Sequence, residues 1–225
     1  MAIIYPIRQW VRTVSVRFDR AYYSMDDFVL IANNCFGGEV YQRLGRPYNT
    51  PFIGLFVPGP DFVRLLADLD NYLAEPMTFP KGYVSRWRPS TAIYPLGILK
   101  DVEIHFVHYG SEEEALEKWC RRLERQKKMV DGSRFFFKIC DRDGGTPAIL
   151  REFHRLKLPN KISFGRQKID SSDHVLIAEK DQGVVPDGVV LYRVSHHYLD
   201  VLSWVRDKRR SLTLNSKIKW LLKIY

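Results

Sequence analysis

The chain has 225 residues, 45% of them hydrophobic and 27% charged, with a net charge of +9. That length and balance suit one sizeable folded core and exclude a disordered polyelectrolyte. The excess of positive charge points to an anionic partner: nucleic acid, an acidic membrane face or a phosphorylated substrate. Cys35, Cys120 and Cys140 are odd in number and lack C-x-x-C spacing. A disulfide framework or structural zinc site is therefore not expected, and a reducing cytoplasm is the expected compartment.

No apolar run reaches the roughly 20 residues needed to span a bilayer. The first segment, 1–27, is basic: Arg8, Arg12, Arg17 and Arg20 interrupt its apolar residues, so it lacks the core of a signal peptide. Phe28-Val29-Leu30-Ile31-Ala32 reads as a buried strand and Glu39 to Leu44 as a short helix. Between them lies Asn33-Asn34-Cys35-Phe36-Gly37-Gly38. Phe52 to Val57 reads as a second strand, and Asp61 to Leu73 as a helix carrying Phe62, Leu65, Leu66, Leu69 and Leu73. Lys81 to Thr91, with Arg86, Trp87, Arg88 and Pro89, reads as a basic aromatic loop.

Val102 to His108 alternates as a strand would, and Ser111 with Glu114 predicts a capped helix running to about Lys128. Arg134 to Ile139 is a further predicted strand, followed by Asp141-Arg142-Asp143-Gly144-Gly145 and a helix from Pro147 to Leu156. Asp173 to Ala178 and Gly188 to Tyr192 read as later strands. The rhythm predicts an α/β domain over 28–195: three layers, a mainly parallel sheet with helices on both faces, Rossmann-like or hydrolase-like. Residues 196–225 read as a basic amphipathic segment, with Arg206 to Arg210 and Lys217 to Lys223 flanking Trp220. It is expected either to rest on an anionic membrane surface or to dock as a cap.

Cys35 is the leading candidate for chemistry. A buried cysteine is usually a small hydrophobe, but a cysteine at a strand end before a helix amino terminus is placed for thiolate stabilisation. Asn33 and Asn34 would supply amide donors, and Gly37 and Gly38 would let a ligand approach the backbone. His108, last in its predicted strand, is the better candidate base; His105 is expected to be structural. Lys118, Arg121 and Arg122 form either a solvated helix face or a phosphate site. Asp141 and Asp143 suit a cation, a histidine or simple Asx turns, the last being commonest. No Walker loop, G-x-G-x-x-G, G-x-S-x-G or H-E-x-x-H occurs.

From Phe28 to Lys168 the chain resembles a bacterial family of exopolysaccharide or capsular polysaccharide biosynthesis proteins. The resemblance rests on Asn33 to Gly38, Pro47-Tyr48, Thr50-Pro51, Gly54-Leu55-Phe56, Tyr94 to Gly97, Glu103 to Tyr109, Glu114-Ala115, Lys118-Trp119, Arg121-Arg122 and Asp141 to Gly144. It implies surface-glycan assembly and an α/β fold without specifying a reaction. The Asn-Cys turn is also similar to the Gly-Asn-Cys turn of certain capsule acetyltransferases, with Asn33 in place of glycine and Phe36 in place of glutamine.

The expectation is a cytoplasmic, peripherally membrane-associated transferase. It would move an acetyl group from acetyl-CoA to a glycan or lipid-linked glycan, with no metal and no nucleic-acid partner. Cys35 and His108 would be catalytic, and Lys118, Arg121 and Arg122 would hold phosphate. A glycosyltransferase or sugar-phosphate transferase using Asp141 and Asp143, and a non-enzymatic accessory protein, are the alternatives.

Overall fold

The computed structural model describes residues 4–24, 27–88 and 93–225. Pro89 and Thr91 of the basic loop, and the side chain of Arg8, lie outside the described residues. Four parallel strands form the central sheet in the order β1 (Val29–Ala32), β5 (Phe135–Cys140), β6 (Lys161–Gly165) and β7 (His174–Leu176). Helices cover both faces, giving the expected three-layer α/β fold. Alternation along β5 divides the core. Phe137 and Ile139 pack under α3 (Gly59–Ala67), α5 (Glu112–Lys127) and α6 (Pro147–Arg155), whereas Phe136 and Cys140 pack under α2 (Phe36–Leu44), α7 (Gly188–Ser195) and α8 (Val201–Asp207).

Local signals set several of these boundaries. Ser111 accepts from the Glu114 N–H and starts α5, while the Glu114 carboxylate reaches back to the Gly110 N–H at 2.8 Å. Thr146 caps α6, with Pro147 in the first turn. The sequence reading needs correction elsewhere. Phe52 to Val57 is not a strand: Gly54 turns the chain at φ 73°, and only Phe56 bridges to His105. The segment is buried all the same, its polar groups met by loop and side-chain partners such as Val57 N–H to Asn33 O and Arg122 to Ile53 O.

The strand read as Val102 to His108 ends at His105 and does not join the parallel sheet. As β4 (Val102–His105) it pairs antiparallel with β3 (Leu96–Leu99), which pairs with β2 (Met77–Thr78) in a separate sheet. A two-residue turn, with Lys100 at φ 59°, closes the β3–β4 hairpin, so the chain folds back on its neighbour. The helix read over Asp61 to Leu73 divides at Asp68 into α3 and α4 (Leu69–Ala74). Gly188 to Tyr192 is helical, not extended. Asp187 accepts from the Val189 and Val190 N–H groups and starts α7, overriding the β preference of its valines.

The two chain ends meet. α1 (Ile4–Tyr22) packs on α2, and α9 (Leu214–Leu222) is tied to both through fully buried Asp19. Asp19 lies 2.5 Å from Arg43 and 2.7 Å from Lys219, and Asn215 donates to it at 3.1 Å. The stretch from His196, read as a basic amphipathic segment, supplies α8, whose Val201, Leu202, Trp204 and Val205 are core residues. In α9, Ser216 and Lys219 face inward. Among the described residues, no helix is long and apolar enough to cross a membrane.

Asp19 thus compensates two buried cations. Asp19→Ala is expected to lower unfolding stability by about 3–5 kcal/mol, because Arg43 and Lys219 would be left uncompensated. Lys219→Met leaves Asp19 its arginine and should cost clearly less. Urea denaturation of both variants checks the order; equal losses would show that Arg43 does not hold Asp19.

Candidate functional site

The sequence motif Asn33 to Gly38 forms the junction between β1 and α2 at the carboxyl edge of the parallel sheet. Beneath it stands Lys138 of β5, a lysine inside the run Phe135-Phe136-Phe137-Lys138-Ile139 and fully buried. Its Nζ donates to Asn34 Oδ1 at 2.9 Å and to Asn33 Oδ1 at 3.2 Å. Asn34 Nδ2 in turn donates to Cys140 Sγ at 3.2 Å. Burial holds the Lys138 pKa below the usual lysine value.

The two asparagine side chains therefore point into the protein and solvate an amine. They do not present amides to a ligand, as the sequence reading expected. Gly37 is buried at the same junction, and a Cβ there would make ordinary contacts with the Ala32 side chain at 3.5 Å and Leu30 O at 3.6 Å.

Cys35 precedes α2 and is partly exposed. Its thiol lies 3.9 Å from Leu55 O, to which it donates. Burial, with Asp187 nearby, pushes the thiol up to about 11 against the opposing effect of Lys138. The expected thiolate at a helix amino terminus is thus not the resting state, because desolvation outweighs the dipole. Asp187 is there because α7 begins against the same turn: a Cβ on Gly188 would lie 2.5 Å from the Phe36 N and 2.9 Å from the Cys35 N. Only glycine permits that approach.

Cys35, Gly38, His108, Lys118 and Arg122 line one cleft of about 290 Å³. They come from the β1–α2 junction, the turn after β4 and α5, so the fold joins five of the residues singled out in the sequence. His108 is exposed, and its ring takes no hydrogen bond among the described residues; its backbone N–H is fixed to Gly54 O at 3.1 Å. Gly54 sits at φ 73°, and a Cβ there would press on Tyr109 at 3.2 Å. Lys118 pairs with Glu114, and Arg122 donates to Tyr109 Oη at 2.5 Å.

Arg121 is not part of the cleft; it is exposed and pairs with Glu117 one turn earlier on α5. The remaining walls include Glu39, Gln42, Tyr48 and Tyr109, which the sequence reading did not assign. Burial raises the Glu39 carboxyl, opposed by Arg193 and Arg12. Tyr48 and Tyr109 belong to the motifs that carry the resemblance, and Glu39 stands one residue beyond the glycines; only the fold brings them into one cleft with Cys35.

Asp141 and Asp143 line a different, larger cleft of about 320 Å³ beyond β5 and β6. Both Asp141 oxygens are engaged, accepting from the Arg166 N–H at 2.6 Å and the Val185 N–H at 2.9 Å. Asp143 pairs with Arg88 at 2.5 Å. Among the described residues, no group of three or more His, Cys, Asp and Glu side chains is arranged to hold a metal ion.

His105, expected from sequence to be structural, lies outside the cleft that holds Cys35 and His108. It is fully buried, stacked on Phe56 at 4.2 Å between centroids, 3.2 Å from Tyr94 Oη through Nδ1 and 3.3 Å from Glu103 through Nε2.

Residues 7–205 match the family described as Domain of unknown function (DUF1919). The chain belongs to the DUF1919 family. The match extends well beyond the stretch from Phe28 to Lys168, taking in most of α1 and all of α7, and it ends within α8. A similar protein, an uncharacterised protein of Haemophilus influenzae (strain ATCC 51907 / DSM 11121 / KW20 / Rd), is 40% identical over 135 residues. Those residues are 60% of this chain and 60% of that protein, so the DUF1919 chain covers less than two thirds of its relative.

Thiol labelling near neutral pH should run in the order Cys120, Cys35, Cys140, since Cys120 is exposed, Cys35 is held protonated and Cys140 is buried. The Cys35 rate should climb as pH rises toward about 11. Mass spectrometry after alkylation checks this, and fast labelling of Cys35 at neutral pH would refute the protonated resting state.

Burial also lowers His105 to about 4 and His196 to about 3, so the folded protein binds fewer protons than the unfolded chain below the ordinary histidine value. Stability from these neutral rings is complete above about pH 6.5 and is lost progressively as pH falls toward about 4. The urea midpoint should already drop between about pH 7 and pH 5; a flat midpoint over that range would show that the two rings are not buried neutral.

Proposed function

We propose that this protein is a transferase of surface-polysaccharide assembly that moves an acyl group, acetyl from acetyl-CoA, onto a glycan or lipid-linked glycan through Cys35. One observation carries the reading: a cysteine, an unengaged histidine and two cationic side chains, distant in sequence, share one cleft with two tyrosines. Tyrosine faces suit the apolar face of a sugar ring, and Lys118 with Arg122 suits a phosphate of donor or acceptor. The assignment to surface-glycan assembly rests on the motif resemblance from Asn33 to Gly144.

In this reading the thiol waits protonated. As Sγ attacks the thioester carbonyl, the proton passes to His108; the carbon–sulfur bond of the donor breaks, and His108 returns the proton to the departing thiolate. An acceptor hydroxyl then attacks the acyl-cysteine, its proton leaves through His108, and Cys35 regains its thiol. Glu39, raised by burial, lies in the same cleft to orient the acceptor hydroxyl.

A second reading is favoured by the raised Cys35 thiol alone: the cleft binds an acidic glycan without turnover, as part of an accessory protein. The two readings separate cleanly. Incubation with radiolabelled acetyl-CoA and extracted glycan should give an acetylated product and an acid-stable, base-labile label on the protein. Cys35→Ala should abolish both, and His108→Ala should lower the rate by about 10²–10⁴-fold, the usual contribution of a general base. Unlabelled wild-type protein that still binds the glycan would replace the transferase with the accessory reading.

A further inference from the structure

From sequence, 1–27 reads as a basic segment without a signal-peptide core, and the fold gives it a further character. On α1, Trp10, Val14, Phe18 and Tyr22 recur every four residues and are 67%, 44%, 49% and 52% exposed. Four large apolar side chains in one stripe on an outer helix are unusual for a free surface. Phe18 and Tyr22 stack at 5.3 Å, so the stripe is already ordered. Its opposite side is fixed: Asp19 is clamped by Arg43 and Lys219, and Ser15 accepts from Arg43 at 2.5 Å. The helix is thus a rigid part of the body that presents aromatic residues outward.

The charge around the stripe selects its occupant. Arg17 is exposed on α1 and flanks the stripe beside Trp10, and the one acid in the described part of that helix, Asp19, is buried and spoken for. The neighbouring α9, read from sequence as the membrane element, has its Lys219 turned inward. It still exposes Leu214 (74%) and Leu221 (78%), with Lys217 also exposed. A second copy of the chain would bring arginines against arginines across a two-fold axis, which opposes self-association. An anionic lipid surface supplies the complementary charge together with an apolar layer, and tryptophan, tyrosine and arginine are the side chains that settle at that boundary.

We propose that α1 is an in-plane docking helix for an anionic bilayer, with Trp10, Val14, Phe18 and Tyr22 entering the headgroup boundary and Arg17 meeting lipid phosphate. α9 adds Leu214, Leu221 and Lys217 from the adjoining helix. The proposal is independent of the chemistry at Cys35, since its readout is partitioning and not turnover.

The 225-residue chain is sedimented with vesicles of phosphatidylcholine alone, or with about one third phosphatidylglycerol, at low and at high salt. Wild-type protein should partition at least about tenfold more strongly to the anionic vesicles, and added salt should weaken that binding steeply. The variant W10E/F18E should lose about tenfold or more, while Val130→Glu, at an exposed valine outside α1, should bind as wild type. Circular dichroism identifies any loss that comes from unfolding, and Arg17→Glu repeats the test through charge. Absence of wild-type binding, or undiminished binding by both W10E/F18E and Arg17→Glu, would overturn the proposal. So would a wild-type dimer in sedimentation velocity that W10E/F18E dissociates, because the stripe would then belong to a second copy.

Discussion

Lys138 is the constraint on which the candidate site depends. A lysine buried in the middle of a parallel strand must be solvated by the protein, and among the described residues no carboxylate forms an ion pair with it; the side-chain oxygens of Asn33 and Asn34 take that role. Satisfying the amine turns both asparagines inward, which fixes the backbone between β1 and α2 and sets where Cys35 emerges. The same requirement explains why Asn34 reaches across to Cys140 on the adjacent strand. An uncharged residue at Lys138 would leave the side-chain oxygens of Asn33 and Asn34 without their donor, so the turn and the lysine are one unit.

A second condition acts from the other side. α7 begins within contact of the Asn34–Phe36 backbone, which only Gly188 allows, and Asp187 comes with it as the helix cap. One carboxylate therefore does two jobs: it satisfies the first amides of α7 and raises the Cys35 thiol. Lys138 opposes that effect from beneath. The resting protonation of Cys35 is the outcome of desolvation plus Asp187 against a buried amine whose own charge is disfavoured.

Local chemistry was legible in the sequence wherever one short segment decided the outcome. β1, α5 with its Ser111 cap, β5 and α6 with Thr146-Pro147 follow from alternation, capping and the fixed geometry of proline. The parallel sheet follows from their order. What the sequence hid was settled by partners far along the chain. Phe52 to Val57 has the composition of a strand and is buried like one, yet Gly54 turns it so that Tyr109 and Arg122 can reach Ile53 O. Gly188 to Tyr192 has a strand's valines, but Asp187 makes it a helix. In the cleft, Cys35, Gly38, His108, Lys118 and Arg122 were identifiable from residue type and position. Asn33 and Asn34 were identifiable too, but their inward roles depend on Lys138, which reads locally as an anomaly in an apolar run.

The arrangement bears on how reactivity at Cys35 would be controlled. A thiol kept protonated by burial is inert toward stray electrophiles and becomes nucleophilic only when a base accepts its proton during attack. His108 stands on a turn whose backbone is pinned to Gly54 while its ring is unengaged, so the ring can move without disturbing the fold. Gly54, Tyr109 and Arg122 form one contact chain from that turn to the wall of the cleft. A ligand that draws on Arg122 would perturb its bonds to Tyr109 and Ile53 and thereby act on the segment that carries both Gly54 and Leu55, the acceptor of the Cys35 thiol. The bonds of Arg122 thus connect the cationic end of the cleft to the segment that accepts from the Cys35 thiol.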